Sequence, residues 1–119
     1  MSGLPEHLTT EERQLLTRCK QAIQAIVPDA RVILFGSRAR GDARADSDYD
    51  LLVLIPVVGN TELDDIEELE EKILAAIYEI ELDSDVILNT TVIPTTIWSS
   101  PLFRTHPFHY SVSKDGVNL

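Results

Sequence analysis

Two short apolar segments on either side of a highly charged loop constrain the fold of this chain more than any other feature. The segment ARVILFG at 30–36 runs into glycine, and YDLLVLI at 49–55 is stopped by Pro56. Apolar runs of this length between turn residues predict buried strands. Residues 35–53 as a whole hold three arginines and four aspartates. The connection is therefore either an ordinary polar loop or a site for a strongly anionic ligand.

Two long amphipathic segments predict helices at 9–27 and 61–81. In the first, Thr9 and Glu12 have the spacing of a capping box, and an apolar stripe that includes Cys19 follows at helical spacing. In the second, a stripe repeats at intervals of three and four residues, which places it on one face. It comprises Leu63, Ile66, Leu69, Ile73, Ile77 and Ile80.

The rest of the chain predicts a third strand, DSDVILN at 83–89, a short helix near 107–114 and a final turn at Asp115–Gly116. The order helix, strand, strand, helix, strand indicates an α/β (α+β) fold with a small sheet and helices mainly on one face. The 119 residues suffice for one modest core, so a single domain spanning 1–119 is expected.

Composition limits the functional classes. Twenty acidic residues against ten basic ones give a net charge of −10, which disfavours direct nucleic-acid binding because that binding depends on lysine and arginine. An acidic surface fits metal ions or a basic protein partner better. One cysteine excludes an internal disulfide, the apolar runs are too short to span a membrane, and the first residues lack a signal-peptide pattern. A cytoplasmic protein without membrane contact is expected.

Asp48 and Asp50 stand two residues apart where the chain enters its second strand. Strand alternation points both carboxylates to one face and turns Tyr49 and Leu51 to the other. Two close carboxylates repel unless a cation or proton neutralises them. Mg²⁺ prefers oxygen ligands of this kind and completes its shell with water and substrate phosphates.

Gly36 and Ser37 follow the first strand directly and suggest a phosphate site. Glycine allows close backbone approach, and the amides that begin the next helical turn favour an anion. Arg38 and Arg40 either contact phosphate, which their guanidinium groups match, or pair with neighbouring acids. Asp42, Arg44 and Asp46 are expected to be solvated.

The spacing of these motifs resembles a known family. Gly36-Ser37, ten residues, then Asp48-Tyr49-Asp50 is similar to the G-S-x10-D-x-D signature of the DNA polymerase β-like nucleotidyltransferase superfamily. The string GSRARGDARADSDYDLLV resembles the minimal nucleotidyltransferase (MNT) branch of that superfamily. The resemblance implies a nucleotidyltransferase-type mixed sheet, with Gly36, Ser37, Arg38 and Arg40 binding nucleotide.

The resemblance also implies a third carboxylate on a neighbouring strand. Glu81, Asp83 and Asp85 are the candidates, and Asp85 is favoured because it would stand inside the predicted strand. It would join Asp48 and Asp50 as catalytic residue and Mg²⁺ ligand and accept a proton from the attacking hydroxyl. ATP is the expected nucleotide, with AMP transferred and pyrophosphate released.

MNT proteins commonly pair with a helical HEPN-family ribonuclease toxin and act as its antitoxin, in some pairs by adding AMP to a tyrosine. The resemblance implies that role and a hetero-oligomer here. Two alternatives remain open. One is an antitoxin that neutralises its partner sterically with little or no catalysis. The other is a small-molecule nucleotidyltransferase, as in aminoglycoside modification, for which the chain lacks an acceptor-binding domain.

Overall fold

A four-stranded mixed sheet forms the centre of the structure, a computed structural model that describes residues 4–57 and 62–119. The strands are β1 (Arg31–Phe35), β2 (Tyr49–Ile55), β3 (Leu88–Pro94) and β4 (Val117–Asn118). Their spatial order is β3-β2-β1-β4, with β2 parallel to β3 and β1 antiparallel to both of its neighbours. The predicted α/β architecture with a mixed sheet is confirmed.

Both long helices cover the same face of the sheet, as predicted. Helix α1 (Thr10–Ile26) begins at the Thr9–Glu12 capping box, in which each side chain bonds the other residue's backbone N–H. Cys19 lies in the core beneath α1 with no exposed surface. Burial raises the pKa of its thiol to about 11, so the thiol is protonated at neutral pH and acts as a small apolar core residue.

Helix α3 (Leu63–Ser84) packs its apolar face on the core but differs from the prediction at both ends. The predicted first residue, Thr61, lies outside the described residues. Leu63 was assigned to the buried face and is 68% exposed. The helix also continues through Ser84, so the strand predicted for 83–89 starts only at Leu88. Acidic residues in this segment do not prevent a helix from continuing when its apolar face is buried.

The C-terminal segment covers the opposite face of the sheet. It contains α4 (Thr95–Trp98), a single 3₁₀ turn (Phe103–Thr105) and α5 (Pro107–Asp115), which confirms the short helix predicted near 107–114. Phe108 of α5 meets Phe35 of β1 edge to face, with ring centroids 5.4 Å apart. Instead of ending in a turn, the chain then adds β4 to the free edge of β1.

Strand alternation decides which side chains share a face where β1 ends and β2 begins. Tyr49 and Leu51 face the α1–α3 core, so Asp48 and Asp50 point to the other face. Because β1 and β2 are antiparallel, the end of β1 lies beside the start of β2, with Phe35 opposite Asp50. Within the described ranges, no helix is long and apolar enough to cross a membrane.

Candidate active site

The backbone of Gly36 lies directly beside the Asp50 side chain. Gly36 has φ 77° and ψ −160°, a backbone conformation that side chains other than hydrogen rarely allow. A Cβ at this position would overlap Oδ2 of Asp50 and lie 3.2 Å from its Cγ. Glycine is thus required here for two reasons: its dihedral angles, and the lack of a side chain that would overlap the Asp50 carboxylate.

Asp48 and Asp50 are brought together as the alternation predicts. Both are half-buried. The amide nitrogen of Asn89 donates to Oδ2 of Asp48 at 3.0 Å and, at the long limit of 3.5 Å, to Oδ1 of Asp50. Because one nitrogen reaches both carboxylates, their oxygens converge on a common space at the edge of the sheet.

Ser37 begins α2 (Ser37–Arg40), a single helical turn directly after Gly36. The amides of Ala39 and Arg40 already bond the carbonyl of Gly36, which fixes the turn. The first amides of a helix have no intrahelical acceptor and carry the positive end of its dipole. A helical turn thus follows Gly36 and lies beside the Asp50 carboxylate, and anion binding by its amides stays a prediction.

The guanidinium group of Arg38 forms several contacts with other residues of the chain. Its guanidinium pairs with Glu12 Oε2 at 2.9 Å, donates to the carbonyls of Ser47 and Ala45, and lies 4.3 Å from the centroid of the Tyr49 ring. Its side chain is only 13% exposed. These contacts fix the loop before Asp48 against α1. Phosphate binding by Arg38 stays a prediction, and the geometry supports a structural role.

Arg40 is more accessible. It pairs with Asp42 at 3.3 Å, one of the alternatives left open by the sequence, and with Asp115 of α5 at 3.2 Å. With 45% of its side chain exposed, these are solvated ion pairs of low net stability. Rotation of the Arg40 side chain toward a phosphate would break its pairs with Asp42 and with Asp115, whose side chain is only 17% exposed.

Glu12 links the N-terminus of α1 to the site. Burial alone would raise the pKa of Glu12, but hydrogen bonds from the Thr9 backbone and hydroxyl, together with the Arg38 charge, lower it overall. Glu12 also accepts the Tyr49 hydroxyl at 3.3 Å. Burial is the main cause that raises the pKa of Tyr49, and the neighbouring Glu12 charge adds to it. Glu12 therefore remains a carboxylate and Tyr49 a neutral phenol.

The three predicted candidates for a third carboxylate occupy different environments. Glu81 accepts the backbone N–H of Leu88 at 2.7 Å and so anchors the start of β3. Asp83 forms an exposed ion pair with Arg18. The placement of Asp85 inside a strand is wrong, because Asp85 is the exposed C-cap of α3 with φ 55°. An aspartate tolerates this left-handed conformation better than most residues do.

Asp85 does share a surface cleft of about 500 Å³ with Asp48. Across the described part of the chain, however, no three acidic, histidine or cysteine side chains gather into a metal-binding group. The roles of Asp85 as metal ligand and proton acceptor stay predictions, supported only by the cleft that it shares with Asp48.

Asn89 and Glu12 are the site residues that the sequence did not reveal. Asn89 follows the apolar run Val86-Ile87-Leu88, which predicts it at the end of the third strand. Only the true register, in which Asn89 pairs with Asp50, places it beside the two carboxylates. Glu12 was recognised as part of a helix cap, and its link to Arg38 spans 26 residues.

Comparison with known proteins identifies the family of this chain. The family model for the nucleotidyltransferase domain matches residues 13–94, which include Gly36, Asp48, Asp50 and Asn89. A protein of Methanocaldococcus jannaschii named "Putative protein adenylyltransferase MJ0141" is 33% identical over 89 residues, covering 73% of this chain and 84% of the relative.

The fold is also found in a solved structure. The crystal structure of a "putative nucleotidyltransferase" from Sulfolobus solfataricus superposes with a TM-score of 0.52 at 19% identity, covering 88% of this chain and 76% of that one. The family match spans more than half of the present sequence and includes the turn and the acidic pair described above. This chain therefore belongs to the nucleotidyltransferase domain family.

Proposed function

We propose that this protein transfers AMP from ATP to a hydroxyl group of a partner protein, with Mg²⁺ as cofactor. The observation that carries the proposal is the contact between the Gly36 turn and the Asp50 carboxylate, with Asp48 beside it. The two features match the two needs of nucleotidyl transfer: the turn would position phosphate, and the acidic pair would hold the cation that neutralises the phosphate charge.

The residues present fit a magnesium ion. Asp48 and Asp50 converge closely enough to share one amide donor, and Mg²⁺ is commonly held by one or two carboxylates, with waters and substrate phosphates filling its other positions. These two carboxylates would hold the ion. When bound, Mg²⁺ would neutralise phosphate charge and polarise the phosphorus–oxygen bonds of the triphosphate.

The chain's own groups then position the nucleotide. The Ser37 hydroxyl and the first amides of α2 would bind phosphate oxygens, where the helix dipole favours negative charge. The acceptor oxygen attacks the α-phosphorus in line, a bond from that oxygen to phosphorus forms, and the bond to the leaving pyrophosphate breaks. Asp85, on the cleft beside Asp48, is the proposed acceptor of the hydroxyl proton.

The cleft supports a protein acceptor. Exposed apolar side chains border it next to Asp48, with Tyr78 57%, Leu82 67% and Ile87 56% exposed. Exposed apolar groups beside a polar site are typical of protein-binding surfaces. The name of the Methanocaldococcus relative, which describes protein adenylylation, supports the same class of acceptor.

We propose further that the partner is a HEPN-family ribonuclease toxin and that this chain is its antitoxin in a hetero-oligomer. The support is the family resemblance, together with the net charge of −10, which complements a basic RNA-cutting protein.

The test is to incubate the protein with labelled ATP, Mg²⁺ and the purified product of the neighbouring gene, which is the proposed HEPN-family partner. We expect label on the partner, abolished by Asp48→Asn, which preserves the shape of the side chain and removes its charge. Asp42→Asn is the matched control, because Asp42 lies on the exposed loop and pairs only with Arg40 among the described residues. Absence of label with the wild-type protein would refute the transferase proposal.

A second function is favoured by one observation. The side chain beside Asp50 on β3 is the amide of Asn89 rather than a carboxylate, which fits an antitoxin that binds its partner with little catalysis. In that case the partner would stay unlabelled, and both binding and inhibition of the toxin would survive Asp48→Asn.

A further inference from the structure

Asn89 occupies a defined position in the acidic site. The parallel pairing of β2 and β3 places Asn89 opposite Asp50 and Thr91 opposite Leu52. Strand alternation sends the side chains of Asn89 and Asp50 to the same face. The amide nitrogen of Asn89 lies 3.0 Å from Asp48 Oδ2 and 3.5 Å from Asp50 Oδ1. Asn89 is therefore a direct neighbour of both carboxylates.

The Asn89 side chain is neutral, and this distinguishes it from a basic or acidic side chain at the same position. A lysine or arginine at position 89 would neutralise the pair and compete with a cation, and an aspartate would add a third negative charge. The neutral amide gives each carboxylate a hydrogen bond and leaves both negative charges in place. The amide thus offsets part of the repulsion between Asp48 and Asp50 without neutralising either carboxylate.

We infer that Asn89 is a positioning residue that holds Asp48 and Asp50 together and sets the affinity of the site for a divalent cation. This inference rests on the proposed function, in which the two carboxylates bind a metal ion. With only two charged ligands, the site binds a free cation weakly, since affinity for such ions rises with the number of charged ligands. The cation is then held firmly only when nucleotide phosphates supply further oxygens.

The test is calorimetric titration of the nucleotide-free protein with Mn²⁺, used as the probe ion. We expect Asn89→Asp to lower the Kd for Mn²⁺ by about tenfold or more, because a third carboxylate within a few ångströms attracts a divalent ion strongly. Thr91→Asp is the matched control. It adds the same charge two residues along the same strand, on the same face and at an exposed position, and should change the Kd much less.

The outcomes separate the two proposals. If Asn89→Asp and Thr91→Asp change the Kd equally, only net charge matters and the assigned role of Asn89 is wrong. If Asn89→Asp leaves the Kd unchanged, the role is also wrong. Asp50→Asn tests the metal site itself. Unchanged Mn²⁺ binding in that variant would refute the acidic pair as the site proposed above, whatever position 89 does.

Discussion

At Gly36, the addition of a single methyl group should reduce the rate of catalysis far more than its effect on stability alone would explain. Gly36→Ala places a Cβ on a residue with φ 77° and into the space of Asp50 Oδ2. Gly41→Ala provides the matched comparison, since Gly41 has φ 90° at the end of the same short helix. The nearest atoms to a Cβ there belong to the His7 ring, with Nδ1 at 3.1 Å.

The two variants share one cost and differ in another. Forcing alanine to a positive φ costs about 1–3 kcal/mol in either case, which corresponds to a Tm lower by about 4 °C per kcal/mol for a chain of this size. Gly36→Ala must also displace the Asp50 carboxylate by about 1 Å, and a displacement of that size in a catalytic group can cost about 100-fold in rate.

The assay measures thermal unfolding and the rate of AMP transfer to the partner for both variants. We expect both variants to lose Tm, Gly36→Ala more than Gly41→Ala because of its closer overlap, with a rate loss of about 100-fold confined to Gly36→Ala. Equal rates in the two variants would refute the reasoning, because they would mean that contact between Gly36 and Asp50 does not set the position of the carboxylate. A transfer rate of zero in the wild-type protein would instead refute the proposed activity.

Two further predictions concern the residues around the site. Arg38→Ala should lower the free energy of unfolding in urea by about 2–3 kcal/mol, because it removes several charge-assisted hydrogen bonds at a largely buried position. Arg40→Ala removes ion pairs of an exposed guanidinium and should lower the free energy of unfolding clearly less. Equal costs would contradict the structural role of Arg38. The folded-state pKa of Glu12 lies below its ordinary value of 4.5, so its contribution is fully present above pH 4.5 and is lost as the pH falls through the lowered pKa. The free energy of unfolding, measured against pH, should therefore fall less steeply below pH 4.5 in Glu12→Gln, and an unchanged slope would show that Glu12 is not the group responsible.

The local features of the site could be read from the sequence because they depend on neighbouring residues. Glycine after a buried strand predicted the turn at Gly36, and alternation predicted that Asp48 and Asp50 share a face. Both are properties of a few consecutive residues. The helix cap at Thr9 and the core position of Cys19 were predictable for the same reason.

The errors arose where the outcome depends on residues distant in sequence. Asp85 was assigned to a strand because apolar residues follow it, yet α3 continues through Ser84 and turns at Asp85. Leu63 was assigned to the core by its spacing, but it lies in the first turn of the helix, where it is mostly exposed.

The sequence by itself determined the α/β class, the glycine turn and the acidic pair, because hydrophobic periodicity and backbone preference act over short distances. Only the tertiary structure decided which groups surround that pair. The register of β3 against β2 brings Asn89, and not Asp85, beside Asp50, and the packing of α1 brings Glu12 to Arg38. Strand register and helix packing are set by how the whole core fills its volume, and no short segment contains that information.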